Sequence, residues 1–205
     1  MKLYYVPGAC SLGPHIVARE AGLPLDLVRV NLADRTTESG EAFASVNPKG
    51  YVPALRLDGG DVLTEASAIL QYLAEKAPQA GLMPQPGSAD RYKLLEWLGF
   101  ISTEIHKGFG PLWNPKSPAE IREAAIEKLH QRFAYLDGHL ASRPYLLGDR
   151  FSIADAYAFT VVNWANFHKV DISRHQNLVA FMGRVAARPK VQEALAAEGL
   201  LKAAA

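Results

Sequence analysis

Between Ala77 and Ser88 the chain carries Pro78, Gly81, Pro84, Pro86 and Gly87, and the residue pattern differs on its two sides. Such Pro/Gly density marks a linker. Before it, short strand-like runs alternate with helical ones. After it, only helical periodicity recurs. A chain that changes period once, at a breaker-rich segment, is best read as two domains of different class. The expected boundaries are 1–80 for a mixed α/β domain, 81–87 for the linker and 88–205 for an all-helical domain. A length of 205 residues suits one or two domains.

The first half is the more specific. Lys2–Val6 is short, aromatic and β-branched and is stopped by Pro7-Gly8, so it predicts a strand. Pro14–Ala21 predicts a helix ended by Gly22. Leu25–Val30 mostly alternates apolar with polar residues and predicts a second strand. A short helix is expected around Glu38–Val46. Ala54–Asp58 and Asp61–Thr64 flank Gly59-Gly60, a two-residue hairpin signal, and Glu65–Lys76 predicts the next helix. Parallel strands need a helical crossover, and antiparallel ones can use a tight turn. A βαβ unit followed by a hairpin and a helix is the thioredoxin plan.

In the second half, helices are expected at Ala89–Lys107, Ala119–Ala141, Ile153–Phe167, Leu178–Ala187 and Val191–Leu200. In the first of these, Leu94, Leu98, Ile101 and Ile105 form an apolar stripe. Glu96, Gly99, Thr103 and His106 form a small, polar second stripe suited to lining a cleft. Ser152-Ile153-Ala154-Asp155 has the pattern of a helix-starting capping box.

Charge and cysteine content exclude several classes. The net charge is +1, −2 in residues 1–80 and +3 in the remainder, so neither half reads as a nucleic-acid surface. Cys10 is the single cysteine, which rules out an intramolecular disulfide and a multi-Cys zinc site and suits a reducing compartment. The other five histidines (His15, His130, His139, His168 and His175) show no metal-type clustering, and no metal is expected. No apolar run approaches the ~20 residues of a membrane span, and no signal region opens the chain. A cytoplasmic protein is expected.

Four places carry possible chemistry. Cys10 lies between a strand end and a helix start, where free N–H groups and the helix dipole favour a thiolate. An isolated cysteine is more often a small buried hydrophobe, but the strand–Pro-Gly–Cys–helix setting favours the chemical reading. Gly13 stands where a second cysteine would make a Cys-x-x-Cys pair, so only monothiol chemistry is open. Val52-Pro53 precedes a strand. A cis proline there would leave the Val52 main chain to bind an extended peptide, and a proline simply starting a strand is the alternative. Thr64-Glu65-Ala66 opens a helix and suits an α-amino-acid head group, or is an ordinary N-terminus with a capping threonine and a first-turn acid. His106 and Lys107 end a helix, where cations offset the dipole.

Taken together these segments resemble the bacterial beta-class glutathione S-transferases over essentially the whole chain. The resemblance rests on Met1–Tyr5, Pro7–Leu12, Pro14–Ile16, Asn47–Gly50, Val52–Leu55, Leu63–Glu65, Glu104–Gly108 and Gly148–Tyr157, in that order and spacing. It implies glutathione as co-substrate, no metal, and a homodimer that binds neither nucleic acid nor membrane. Ala9 and Cys10 would lie at glutathione, with Cys10 on its sulfur, and His106 would help polarise that sulfur from across a cleft. Val52, held by cis-Pro53, would pair with the cysteinyl unit, and Glu65 with the Ala66 N–H would bind the γ-glutamyl end. Arg35, Thr103 and Lys107 would hold carboxylates or line the pocket. Glu104 would reach the partner's glutathione. Tyr5, Phe109, Trp113 and Trp164 are candidates for lining an electrophile pocket between the halves, with core packing an equal reading for Trp164. Many relatives carry Asn where this chain has Gly99, and a Ser is common in place of Ala66, so two side-chain hydrogen bonds are missing.

The resemblance implies conjugation of the glutathione thiolate to small hydrophobic electrophiles, with aryl halides losing halide, in detoxification. Glutathione-dependent disulfide exchange or peroxide reduction through Cys10 is the alternative activity. A non-catalytic scaffold on the same fold is a third reading, and a complete glutathione cradle argues against it.

Overall fold

The strand Lys2–Tyr5 (β1) is the centre of a five-stranded sheet, and its sequence shows why. Leu3 and Tyr4 point to opposite faces, yet both are buried. A strand covered on both sides must be apolar on both sides. In the computed structural model, which describes residues 1–201, β1 pairs in parallel with β2 (Asp26–Asn31) and antiparallel with β4 (Ala54–Arg56). β5 (Val62–Thr64) is antiparallel to β4, and the two-residue β3 (Thr36–Thr37) is antiparallel to β2, giving the order β3-β2-β1-β4-β5. This is the expected thioredoxin-like arrangement, with β3 added.

Tyr4 packs on one face with Val30, Phe43, Val46, Val52 and Ala54. The helices of this part are α1 (Leu12–Glu20), α2 (Phe43–Val46) and α3 (Ala66–Lys76). α2 is much shorter than the expected 38–46, because Thr36 bridges Ala42 and the Thr37 N–H bonds the Glu41 carbonyl, which holds residues 38–42 in a turn. The Gly59-Gly60 hairpin also differs: its loop is Leu57–Asp61, closed by the Leu57 N–H on the Asp61 carbonyl, so both strands are shorter than their apolar runs.

The second unit is helical: α4 (Ala89–Phe100), α5 (Gly110–Trp113), α6 (Ala119–Leu140), α7 (Ile153–Val162), α8 (Trp164–His168) and α9 (Gln176–Ala186). Ten consecutive α7 residues are buried, as expected of a helix apolar all round. The Ser152–Asp155 capping box forms as read. Two expected helices are interrupted. The 153–167 helix breaks at Asn163. The 89–107 helix ends at Phe100 and passes into a π-helical turn, Ile101–His106, then a 3₁₀ turn, Lys107–Phe109. The Thr103 hydroxyl donates to the Gly99 carbonyl at 3.0 Å. Such back-bonding competes for the helix carbonyl and favours a local distortion.

The chain divides into two compact units. One comprises 1–83 with 187–205, the other 84–186. The division at 83/84 falls inside the expected linker. The last helix, α10 (Pro189–Ala197), departs from the expected 88–205 grouping because it packs on α1 in the first unit. Val191, Ala194 and Leu195 are its buried face, and Arg188 meets the Glu20 carboxylate through two nitrogens at 2.7 and 2.8 Å. Among the described residues, no helix is long and apolar enough to cross a membrane.

Candidate functional site

In the first unit the β1–α1 turn and the Val52–Pro53 segment meet at Cys10. The turn Val6–Ala9 leads from β1 to α1. It is closed by the Ala9 N–H on the Val6 carbonyl, with Gly8 at φ 71. Only glycine adopts that conformation without steric cost. Cys10 follows, two residues ahead of α1, so its sulfur lies near the helix's positive end. The Cys10 thiol is buried and donates to the Val52 carbonyl at 3.2 Å. The Val52–Pro53 bond is cis, as one of the two sequence readings required. Val52 precedes β4 and lies outside its ladder with β1, which ends at Ala54.

Glu65 is the N-cap of α3 in place of the expected Thr64, and it holds φ 69. A non-glycine residue in that region is held there by its surroundings and is a common mark of ligand sites. Its carboxylate accepts from Lys49 Nζ and from the Tyr51 hydroxyl, each at 2.9 Å. Lys49 also donates to Thr64 Oγ1 at 2.9 Å. An ammonium group on this carboxylate is therefore accommodated in the protein itself. The Ala66 N–H opens α3 with no intrahelical acceptor, like any first-turn donor. Arg35 is exposed, with φ 58, and lies beside the Asn47–Gly50 turn.

Behind the Cys10 turn is a carboxylate the sequence did not mark. Glu198, the C-cap of α10, has a fully buried side chain. Its Oε2 accepts from the Gly8 N–H and its Oε1 meets His15 Nδ1, both at 2.9 Å. Arg19 Nε donates to His15 Nε2 at 3.3 Å. Arginine can only donate, so Nε2 accepts and Nδ1 carries the proton toward Glu198. His15 is thus a buried link between Arg19 and Glu198. Burial first, and then the Glu198 carboxylate, push the Tyr5 hydroxyl above the ordinary tyrosine range. Tyr5 therefore stays protonated near neutral pH.

In the second unit, His106 ends the π turn and meets the Tyr157 hydroxyl through Nδ1 at 2.7 Å. Its ring stands edge-on to Trp164, with centroids 4.8 Å apart. Trp164 in turn contacts Phe109 at 5.6 Å and Trp113 at 5.5 Å. The three pocket candidates of this unit are therefore one aromatic cluster adjoining His106. Phe109 and Trp164 are buried within it, and Trp113 is half exposed. Gly99, Thr103 and Lys107 are exposed, and a Cβ at Gly99 would meet nothing within 4 Å.

Glu104 also has partners of its own. Its carboxylate is held within its own chain by Arg132 Nε at 2.7 Å and Lys128 Nζ at 3.7 Å. The Arg132 hydrogen bond, with help from Lys128, keeps it below the usual carboxylate range. A groove of about 580 Å³ in this unit contains none of the candidate residues. It runs between α4 and α6 and is lined by Trp97, Phe100, Tyr135 and His139 among others.

Two buried residues that hydrogen-bond to these candidate segments, Glu198 and Tyr157, were not marked as site residues in the sequence. For Tyr157 a signal existed: a tyrosine within an otherwise apolar helix needs a partner for its hydroxyl. For Glu198 there was none, because its partners lie 183 and 190 residues away.

Comparison with known proteins identifies the family. Residues 8–76 match the glutathione S-transferase N-terminal domain family, and residues 100–189 the C-terminal domain family. The chain is 48% identical over 200 residues to glutathione S-transferase GstA of Escherichia coli O157:H7, covering 98% of this chain and all of that protein. A glutathione transferase structure from Methylococcus capsulatus is 56% identical, with a TM-score of 0.96 and coverage of 98% and 99%. A bacterial beta-class glutathione S-transferase from Sphingomonas chungbukensis is 46% identical, with a TM-score of 0.95 and coverage of 98% and 100%. Both domain families, joined in one chain of matching length and fold, make this protein a member of the glutathione S-transferase family.

Proposed function

We propose that this enzyme is a beta-class transferase that joins the glutathione thiolate to small hydrophobic electrophiles of the aryl halide type. The thiolate adds to the ring carbon bearing the halogen, the carbon–halogen bond breaks, and halide leaves with its electron pair. Glutathione reacts as the thiolate, so the protein's task is to favour that form at neutral pH. Cys10 and His106 are the groups assigned to it. The observation that carries this reading is the Cys10 thiol at the start of α1, joined to the Val52 carbonyl beside a cis proline. A sulfur lying along Val52 would meet both a thiol donor and the helix's positive end.

The remaining assignments follow. The Ala9–Cys10 backbone and Val52 main chain hold the cysteinyl unit, with Pro53 fixing the bend. Glu65 and the Ala66 N–H hold the γ-glutamyl head group, whose ammonium replaces Lys49 on Glu65. Arg35, Thr103 and Lys107 hold carboxylates, and Gly99 leaves space where relatives carry Asn. Tyr5 and Trp113 supply apolar surface for the electrophile, whereas Phe109 and Trp164, at 0% and 4% exposure, are core residues that pack behind Trp113.

The enzyme acts as a homodimer in the cytoplasm, in detoxification. The aromatic groove on α4 and α6, with Tyr135 at 56% exposure in its lining, supports self-association, since large aromatic groups are enriched at interfaces. Glu104 reaches the neighbouring subunit's glutathione through Oε1, the oxygen that the Arg132 and Lys128 contacts leave unused.

The test is the glutathione-dependent rate with 1-chloro-2,4-dinitrobenzene at neutral pH, in the parent enzyme and in Cys10→Ala. Conjugation predicts a rate well above the uncatalysed one, partly kept in Cys10→Ala. The alternative, monothiol disulfide exchange, is favoured by the single thiol at a helix start. It predicts little conjugation and an exchange activity abolished in Cys10→Ala.

A further inference from the structure

We propose that Tyr157 is a positioning residue for His106: its buried hydroxyl donates to Nδ1, which fixes the imidazole proton on Nε2 and makes that nitrogen a hydrogen-bond donor. This inference rests on the role of His106 proposed above and specifies its chemistry.

Neutral imidazole has one donor nitrogen and one acceptor, and the partner of the first determines the role of the second. Tyr157 is 1% exposed, in the middle of the fully buried α7. Its oxygen lies 2.7 Å from His106 Nδ1, and the two rings are perpendicular at 87°. That separation is typical of an O–H donor and short for a ring N–H donating to oxygen. A phenol is also a good donor and its conjugated oxygen a weak acceptor, whereas a neutral imidazole nitrogen is a strong acceptor. Donation by Tyr157 is therefore the favoured sense. Trp164 closes a second side of the ring at 82°. His106 is thus oriented by a hydroxyl on one side and an indole on the other, at the end of a π turn that sets it apart from the α4 stripe.

The consequence is chemical. With the opposite tautomer, Nε2 would be a base and would take a proton from a thiol. With Tyr157 donating, Nε2–H stabilises a thiolate already formed and serves the conjugating step without exchanging a proton. The sequence offers the same distinction at one atom: phenylalanine would fill the site equally well, and tyrosine adds only the hydroxyl.

The experiment combines two readouts on the intact enzyme. ¹⁵N NMR of the His106 imidazole, above the pH of its protonation, should show Nδ1 bare and Nε2 protonated in the parent enzyme. Tyr157→Phe should show a mixture of tautomers. In the 1-chloro-2,4-dinitrobenzene assay, Tyr157→Phe should lower kcat about tenfold, the rate equivalent of one lost hydrogen bond, with KM for glutathione little changed. In a His106→Ala background the same substitution should have no further effect. A parent spectrum with the proton on Nδ1 overturns the inference whatever the kinetics. So does an unchanged kcat in Tyr157→Phe, or an equal loss in both backgrounds. If His106→Ala alone leaves kcat intact, the catalytic role of His106 fails, and the NMR readout still decides whether Tyr157 sets the tautomer.

Discussion

Asp155 and Glu198 are both carboxylates removed from solvent, one in each unit, and they are held in opposite ways. Asp155 accepts from the Ser152 N–H and hydroxyl, at 2.8 and 2.7 Å, and from the Leu146 N–H at 2.8 Å. All three donors lie within nine residues. Glu198 accepts from Gly8 and His15, at the other end of the chain. The first knots a local turn to the start of α7. The second ties the last helix to the turn that carries Cys10. Similar chemistry thus serves local folding in the helical unit and long-range positioning of the site in the mixed unit.

The largest expected effect is on stability. Asp155→Ala strands three buried donors, each costing about 1–3 kcal/mol. A loss of about 3 kcal/mol or more is expected in urea unfolding. A loss under about 1 kcal/mol would contradict the view that α7 depends on this box.

Next is the pH dependence. Burial pushes Asp155 up to about 6, against the hydrogen bonds that lower it. The folded value lies above the unfolded one, so its contribution is complete below about pH 4 and declines as pH rises through about 6. The penalty of Asp155→Asn, an analogue of the protonated acid, should therefore be larger at pH 4 than at pH 7. The opposite trend would show that the three donors outweigh burial.

Glu198→Gln sharpens the contrast. Its amide can accept from only one of Gly8 and His15, so a loss of about 1–3 kcal/mol is expected. Unlike Asp155→Asn, it should also raise KM for glutathione, because the Gly8 turn precedes Cys10. Equal KM values in the two variants would break the distinction between them. The smallest effect belongs to Gly99→Asn. The site is open, so stability should change by less than about 0.5 kcal/mol, while the conjugation rate rises if the missing side chain contacts glutathione. A slower variant would assign Gly99 to substrate access instead.

The same contrast explains what was legible in the sequence. The succession of strands and helices in the first unit, β3 apart, and the Ser152–Asp155 box rest on local pattern and were readable. The π turn was not, because Ile101 and Ile105 continue the apolar stripe of α4 and remain buried. The α10 docking was not, because a helix's buried face does not identify its neighbour. Cys10, Val52-Pro53 and Glu65 were found as candidates, since each sits at a sequence-visible element end. Glu104 was assigned by resemblance to a partner subunit, and its Arg132 contact 28 residues away carries no local signal.

The most direct test of the account is the ionisation of enzyme-bound glutathione, followed by ultraviolet thiolate absorbance. Cys10→Ala leaves glutathione's sulfur as the one thiol in the complex. In that background the bound thiol should ionise at lower pH than free glutathione, and adding His106→Ala should move it back toward the free value. A bound thiol that ionises like free glutathione, or one unmoved by His106→Ala, would contradict thiolate stabilisation by His106.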